Sequence, residues 1–299
     1  MGNNLIMTRK EISGLHLYNK SDGIHVLFDE INFKDEDIQY TGPRQLSIML
    51  TKKCNLECSY CYASKGESEL DWDLLKNILE VAHKMNVLDI TLGGGEPTLY
   101  SRFDDLVKLV NDKYYFGLSV TTNGTNIEIF KIFSNMFSKV RVSLDNQKRQ
   151  LDSIMTSQLQ ELKEYQAIGI NLLYSKDSNE WLINTINKLE KENIKDILII
   201  PEHTNGKYIL TQDDWSNLEQ IIIDSLENDI DIKITSDAEK HLNINTLETS
   251  HEDEYMFLHI DDEGNLKERS WETSTNSINK LTIEETIQKI SKLNPRSKK

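Results

Sequence analysis

From Gln45 onward, short apolar runs alternate with longer stretches of helical periodicity. Residues 46–50, 89–92, 117–121, 139–144, 170–174 and 196–200 have the length and composition of buried strands. Between and after them, 71–85, 103–110, 127–136, 159–167, 180–191 and 213–227 carry helical spacing. In the first of these, Leu74, Leu75, Ile78, Leu79, Val81 and Ala82 fall on one broad face. Six strands alternating with helices predict a parallel sheet, because parallel neighbours need crossover connections. The fold class is therefore α/β. A closed eight-unit barrel and a partial (β/α)6 barrel both suit the rhythm, and six counted units favour the partial one.

Neither end of the chain keeps this rhythm. Apolar residues alternate through 15–18 and 24–28 on either side of an Asp22-Gly23 turn, which predicts a β-hairpin. Too short for a domain, it is expected as an extra edge on the following sheet, with a turn at 41–44 closing it. Past about residue 228, 231–234 reads as a strand, and 255–260 and 266–269 as a second hairpin around 261–265. A last helix is expected at 283–293 and a basic tail at 294–299. The predicted organisation is an N-terminal hairpin segment over 1–44, a core over 45–228 and an extension over 229–299.

Composition narrows the function classes. A formal net charge of −15 opposes non-specific binding to nucleic acid, whose phosphates it would repel. No apolar stretch is long enough to cross a bilayer, and residues 1–10 lack the apolar centre of a signal peptide. All three cysteines fall in one short stretch, so no disulfide framework remains and a reducing cytoplasm is expected.

That stretch, Cys54-Asn55-Leu56-Glu57-Cys58-Ser59-Tyr60-Cys61, directly follows the first predicted strand. Its C-x3-C-x2-C spacing brings three thiolates to one soft metal centre, as iron–sulfur clusters require. Zinc and a disulfide are the competing readings. A closed four-iron cluster or structural zinc site takes four ligands, whereas three cysteines leave one iron open. The second strand ends in Gly93-Gly94-Gly95-Glu96-Pro97, the third in Thr122-Asn123, and the fourth runs through Ser143 to Asp145. Ligands of parallel α/β folds bind beyond the carboxyl ends of strands, so these segments mark one mouth.

The cysteine motif with its preceding aromatic, followed by Gly94-Gly95-Glu96-Pro97, resembles the radical SAM superfamily over roughly residues 45–205. The resemblance implies a partial barrel in which Cys54, Cys58 and Cys61 hold one 4Fe–4S cluster. It also implies S-adenosylmethionine as cofactor, chelated at the open iron and cleaved by one electron to a deoxyadenosyl radical. By the same resemblance Gly94 and Gly95 allow close approach of the cofactor, and Glu96 accepts from its ammonium. Tyr60 lies beside the adenine, and Ser143 bonds the methionine carboxylate or ribose. Thr122 and Asn123 reach cofactor or substrate, and Ile200 touches adenine. Each has a plainer reading: glycine and Asn123 as turn residues, Tyr60 and Ile200 as core, Ser143 as a structural strand serine. Glu202 and His203 face the same mouth, and Lys176 is the basic residue expected near it.

Peptide-modifying members of this family often carry a cysteine-rich extension for auxiliary clusters. Here no cysteine follows Cys61, which excludes a further cysteine-ligated cluster within this sequence. The GTP-cyclising members carry an arginine where this chain has Thr91, and they need a second cluster. The expected activity is hydrogen-atom abstraction from a peptide or protein, with an electron donor such as flavodoxin or ferredoxin. Alternatives are a small molecule or nucleotide substrate, as in the viperin-like and deazapurine branches, and a non-catalytic iron–sulfur sensor. No nucleic-acid or membrane partner is expected.

Overall fold

The computed structural model describes residues 5–11, 13–38, 42–61, 63, 65–204, 206–226, 230, 232–244, 257–274 and 276–293. Three antiparallel strands come first: β1 (Ile6–Glu11), β2 (Gly14–Asn19) and β3 (Ile24–Phe28). The hairpin expected from the Asp22-Gly23 turn is present, but it is not an edge of the main sheet. It forms its own three-stranded sheet with β1. That strand escapes a hydrophobic reading because its buried positions are charged. Arg9 and Glu11 are 1% and 3% exposed and pair with each other at 3.0 Å, while Arg9 Nη1 also donates to the Pro43 carbonyl at 2.8 Å.

The alternating core follows as β4 (Gln45–Met49), α1 (Trp72–Lys84), β5 (Asp89–Gly93), α2 (Phe103–Lys113), β6 (Gly117–Thr122) and α3 (Ile129–Ile132). It continues through β7 (Lys139–Leu144), α4 (Ser153–Leu162), β8 (Ile168–Tyr174), α5 (Asn179–Lys191) and β9 (Ile197–Pro201). A short hairpin, β10 (His203–Thr204) and β11 (Lys207–Tyr208), then leads to α6 (Gln212–Leu226). The remaining elements are β12 (Ile232–Ile234), α7 (Ser236–Glu239), β13 (Phe257–Ile260), β14 (Leu266–Lys267) and α8 (Ile283–Leu293).

Strands β4 to β9 lie side by side in sequence order, each parallel to the next. The sheet is a partial barrel, open between β12 and β14 at its two edges. The C-terminal segments widen it rather than stand apart. β12 pairs in parallel with β9, and β13 pairs in parallel with β4 while β14 folds back on it. Residues 231 and 255–256 of the expected strands, and the expected tail at 294–299, lie outside the described residues.

Two helices differ from the periodicity. The expected helix at 127–136 shrinks to α3, because Asn135 takes a left-handed φ of 59° and its N–H donates to the Tyr165 carbonyl at 3.2 Å. The helix expected at 159–167 instead runs from Ser153, where the Asp152 side chain accepts from the Met155 N–H. An aspartate at this position satisfies an otherwise orphaned donor and starts the helix early. Its expected end at 163–167 is occupied by a turn, and Gln166 donates to the Phe130 and Phe133 carbonyls of the shortened α3 region.

Alternation along the barrel strands separates two environments. Leu46, Ile48, Ile90, Leu92, Val120, Val140, Val142, Ile170, Leu172, Ile197 and Ile199 are at most 1% exposed and pack toward the helices. Each such side chain contributes roughly 1.5–3 kcal/mol on leaving water. Among the intervening positions lies a polar row: Ser47 pairs with Thr91, Thr91 with Ser119, and Ser143 with Asn171. At the amino ends of these strands, buried Asp89 accepts from Tyr18, Ser119 and Gln45 at 2.8, 3.0 and 3.0 Å. Tyr18 belongs to β2, so the N-terminal sheet closes the floor of the barrel. The site lies at the opposite end. Among the described residues, no helix is long and apolar enough to cross a membrane.

Candidate functional site

The cysteine loop leaves β4 pinned to the glycine turn that ends β5. Leu50 N–H donates to the Gly93 carbonyl at 2.9 Å, Gly95 N–H to Thr51 at 2.7 Å and Glu96 N–H to Lys53 at 2.7 Å. These contacts explain the glycines. A Cβ on Gly94 would come within 2.5 Å of the Thr51 carbonyl oxygen, and one on Gly95 within 2.2 Å of the Lys53 carbonyl oxygen. The close approach at Gly94 and Gly95 is therefore made by the chain's own backbone. Gly93 differs: a Cβ there would meet nothing within 4 Å, so its open side is available to a ligand.

Cys54, Cys58, Cys61, Tyr60, Gly94, Gly95, Thr122, Asn123, Ser143 and Ile200 all border one cavity of about 440 Å³, within the range of small-molecule sites. Ten of the eleven site residues chosen from sequence thus share one wall system, although they come from five strand ends. Glu202 and His203 border it too. Lys176 does not; it is exposed and absent from the walls.

Glu96 is the residue the structure does not bring to the cavity. It is 0% exposed, and its carboxylate accepts from Thr98 N–H and Oγ1 at 3.2 and 2.8 Å, Thr122 Oγ1 at 2.9 Å and Asn123 N–H at 2.8 Å. Four donors nearly exhaust its acceptor capacity. Burial pushes its carboxyl up, against the pull of those donors. Glu96 braces the end of β5 against the end of β6.

The three thiols are free; Cys54 and Cys58 are half-buried and Cys61 is exposed. Burial first, then Cys58 and Cys54, push the Cys61 thiol up, against the Ala63 backbone N–H. Among the described residues, no three His, Cys, Asp or Glu side chains stand close enough to chelate a single ion. A cubane asks for something else, one thiolate per iron around a cage, and three unpaired cysteines on one wall fit that donor set. Asn123 adds a neighbouring donor: its Nδ2 reaches Asn55 Oδ1 at 2.8 Å and Cys54 Sγ at 3.8 Å. Its Oδ1 accepts from Thr125 N–H and Oγ1 at 2.9 and 2.6 Å, which fixes the amide the right way round.

Tyr60 is held by its hydroxyl as well as its ring. The hydroxyl donates to Asp145 Oδ2 at 2.6 Å and accepts from Arg149 Nη2 at 2.6 Å, while Arg149 Nε donates to the same carboxylate oxygen at 2.8 Å. Burial raises the Asp145 carboxyl, but hydrogen bonds from Tyr60, the Lys148 N–H, Arg149 and the Gln147 N–H outweigh it and hold the group at about 2. Arg149 is, with Arg269, a missed cation of the cavity. Its signal in the sequence was the Asp145/Arg149 pair four residues apart just after a strand end. Asn171, Tyr208 and Trp271 were also missed, because nothing local distinguishes them from core or loop residues.

Comparison with known proteins agrees with this geometry. Residues 48–214, more than half of the chain, match the model of the Radical SAM superfamily. A probable GTP 3′,8-cyclase of Pyrococcus horikoshii is 28% identical over 150 residues, 45% of this chain and 48% of that protein. The mycofactocin maturase MftC of Mycolicibacterium smegmatis is 34% identical over 110 residues, 35% of this chain and 28% of MftC. The matched segment thus spans half or less of these relatives. The structure of Streptococcus suis SuiB bound to precursor peptide SuiA superposes with a TM-score of 0.69 over 94% of this chain and 86% of SuiB, at 18% identity. At that identity the likeness is one of fold.

Proposed function

Because the chain belongs to the radical SAM superfamily, an enzyme family built on a 4Fe–4S cluster and S-adenosylmethionine, we propose that its substrate is a peptide or protein. When bound, the cluster would supply the electron for reductive cleavage of S-adenosylmethionine, the chemistry by which the family removes a hydrogen atom from substrate. Cys54, Cys58 and Cys61 hold the cluster in this reading. The backbone from Gly93 to Gly95 and the side chains of Ser143 and Asn171 receive the polar groups of S-adenosylmethionine, and Tyr60 and Ile200 supply flat and apolar surface for its adenine. The polar barrel lumen below them is sealed by the Tyr18–Asp89 floor, which keeps bulk water from reaching the site from that side. An electron donor such as flavodoxin or ferredoxin completes the reading.

One observation carries the peptide assignment over a nucleotide. Both arginines on the cavity wall are already paired, Arg149 with Asp145 at 2.8 Å and Arg269 with Asp237 at 2.9 Å. A triphosphate entering the described cavity meets no unpaired lysine or arginine, whereas a largely neutral peptide needs none. The fold shared with SuiB, solved with its precursor peptide, and the local identity to MftC support the same reading. The competing reading is a nucleotide, favoured by the named activity of the Pyrococcus relative.

The test is anaerobic reconstitution with dithionite and S-adenosylmethionine. Deoxyadenosine should form, and Cys58→Ala should form none. Peptides encoded beside the gene should then gain or lose mass, while GTP is recovered unchanged. Conversion of GTP with no peptide modified would overturn the assignment.

A further inference from the structure

A second cavity of about 640 Å³ adjoins the first. Gly206, Tyr208, Asp237, Arg269 and Trp271 border both, so the two chambers share a wall. The far side of the second chamber is aromatic. Trp215 stacks on His241 with ring centroids 4.6 Å apart and planes 10° from parallel. Tyr208 stands edge-on to both, at 5.1 and 5.2 Å. His203 joins the group from the first chamber, 6.1 Å from Tyr208 and 6.0 Å from Trp271.

None of these rings comes from the six strands that build the cofactor end of the site. Tyr208 and His203 belong to the β10–β11 hairpin, Trp215 to α6, His241 follows α7, and Trp271 follows β14. The segment carrying Trp271 is the extension that follows the β13–β14 hairpin, and it holds no cysteine. The indole rests directly on the hairpin turn, where a Cβ on Gly206 would come within 2.3 Å of it. Arg269, two residues earlier, ties the same segment to α7 through Asp237 at 2.9 Å. Two independent attachments thus set the partition between the chambers.

We propose that this chamber is a substrate subsite that accepts a neutral aromatic side chain of the peptide, next in space to the residue that is modified. The inference rests on the peptide reading above. With Tyr208, Trp215, His241 and Trp271 on its border, the chamber favours an aromatic guest over an aliphatic one, since edge-to-face and offset pairs add to simple burial. Charge decides against a cation, which such a box of rings could otherwise hold. Among the described residues bordering the chamber, Asp237 is the one acid and is already paired with Arg269, while Lys207 adds a second positive charge. A lysine or arginine guest would be repelled. The chamber therefore selects a phenylalanine- or tryptophan-like residue, and by anchoring it presents a neighbouring residue to the first chamber.

The chain has four tryptophans, two bordering the subsite (Trp215, Trp271) and two that do not (Trp72, Trp181), which gives the experiment its own reference. Holoenzyme labelled with 5-fluorotryptophan, reconstituted anaerobically with S-adenosylmethionine, is titrated with N-acetyl-L-phenylalaninamide and followed by fluorine NMR. The resonances of Trp215 and Trp271 should shift and those of Trp72 and Trp181 should not. N-acetyl-L-leucinamide and N-acetyl-L-lysinamide should bind at least about tenfold more weakly. His241→Ala, at an exposed position, should weaken the aromatic amide by about tenfold while leaving the Trp72 and Trp181 resonances in place. Absence of any shift at Trp215 and Trp271, or equal response to the leucine and phenylalanine amides, would overturn the subsite. These outcomes are separable from the peptide reading. If the aromatic amide binds while no peptide is ever modified, the substrate assignment fails and the chamber's selectivity stands.

Discussion

Asn123 and Cys54 lie 69 residues apart in the chain and meet at 3.8 Å, the side-chain amide donating to the thiol sulfur. Hydrogen bonds to cluster sulfurs stabilise the more negative, reduced state and so raise the reduction potential. Asn123→Ala should therefore make the midpoint potential of the reconstituted cluster more negative, and Asn123→Gln should restore part of the difference if its longer amide still reaches. An EPR-monitored redox titration measures this without turnover. Identical potentials in the parent and Asn123→Ala would rule the contact out as an electronic influence.

Glu96 should matter for stability before it matters for chemistry. Replacing it by alanine strands the Thr98 and Thr122 hydroxyls and the Asn123 N–H in a buried site. The cost should be about 3 kcal/mol, read as a lower urea midpoint with unchanged slope. A midpoint equal to the parent's would mean that the four contacts contribute nothing net.

The Tyr60–Asp145–Arg149 network predicts an acid limb of stability with a definite sign. The folded-state carboxyl of Asp145 lies at about 2, below its ordinary 3.8. Its contribution is therefore fully present above about pH 3.8 and is lost as the pH falls toward about 2. Tyr60→Phe removes one donor, so the Asp145 carboxyl should titrate closer to 3.8 and the pH-dependent part of the stability should shrink. Carbon NMR of the carboxyl and urea midpoints through this range report both effects. An unmoved titration in Tyr60→Phe would show that the tyrosine hydroxyl is not what holds the charge.

Gly117 opens β6 directly above Tyr18, where an added Cβ would sit 2.0 Å from the tyrosine oxygen. That oxygen cannot swing away without abandoning Asp89. Gly117→Ala should thus destabilise the protein by about 3 kcal/mol and speed hydrogen exchange over β2 and β3. Because the floor lies at the far end of the barrel, the reconstituted variant should still form deoxyadenosine. Unchanged exchange in those strands would mean that the N-terminal sheet is not anchored through Tyr18.

The alternating strands and helices, the cysteine loop and the glycine turn were legible in the sequence because each is a local signal. Strand length, helical spacing and thiol spacing are all settled within a few residues, and parallel topology then gathers the strand ends at one mouth. Side-chain direction at that mouth is a different matter. Glu96 reads as a ligand-facing carboxylate until Thr122 and Asn123, 26 and 27 residues on, claim it from behind. Tyr60 reads as a bare ring until Asp145, 85 residues on, takes its hydroxyl. The strand β1 was hidden because burial of Arg9 and Glu11 is made tolerable by partners 34 and 33 residues on, the Pro43 carbonyl for Arg9 and the Arg44 guanidinium for Glu11. The sequence by itself determined which segments could carry the cofactors. The tertiary structure decided which polar groups remain free to meet them and which aromatic rings wall off the rest of the cavity, since hydrogen-bond capacity and packing are used up by partners that no local pattern specifies.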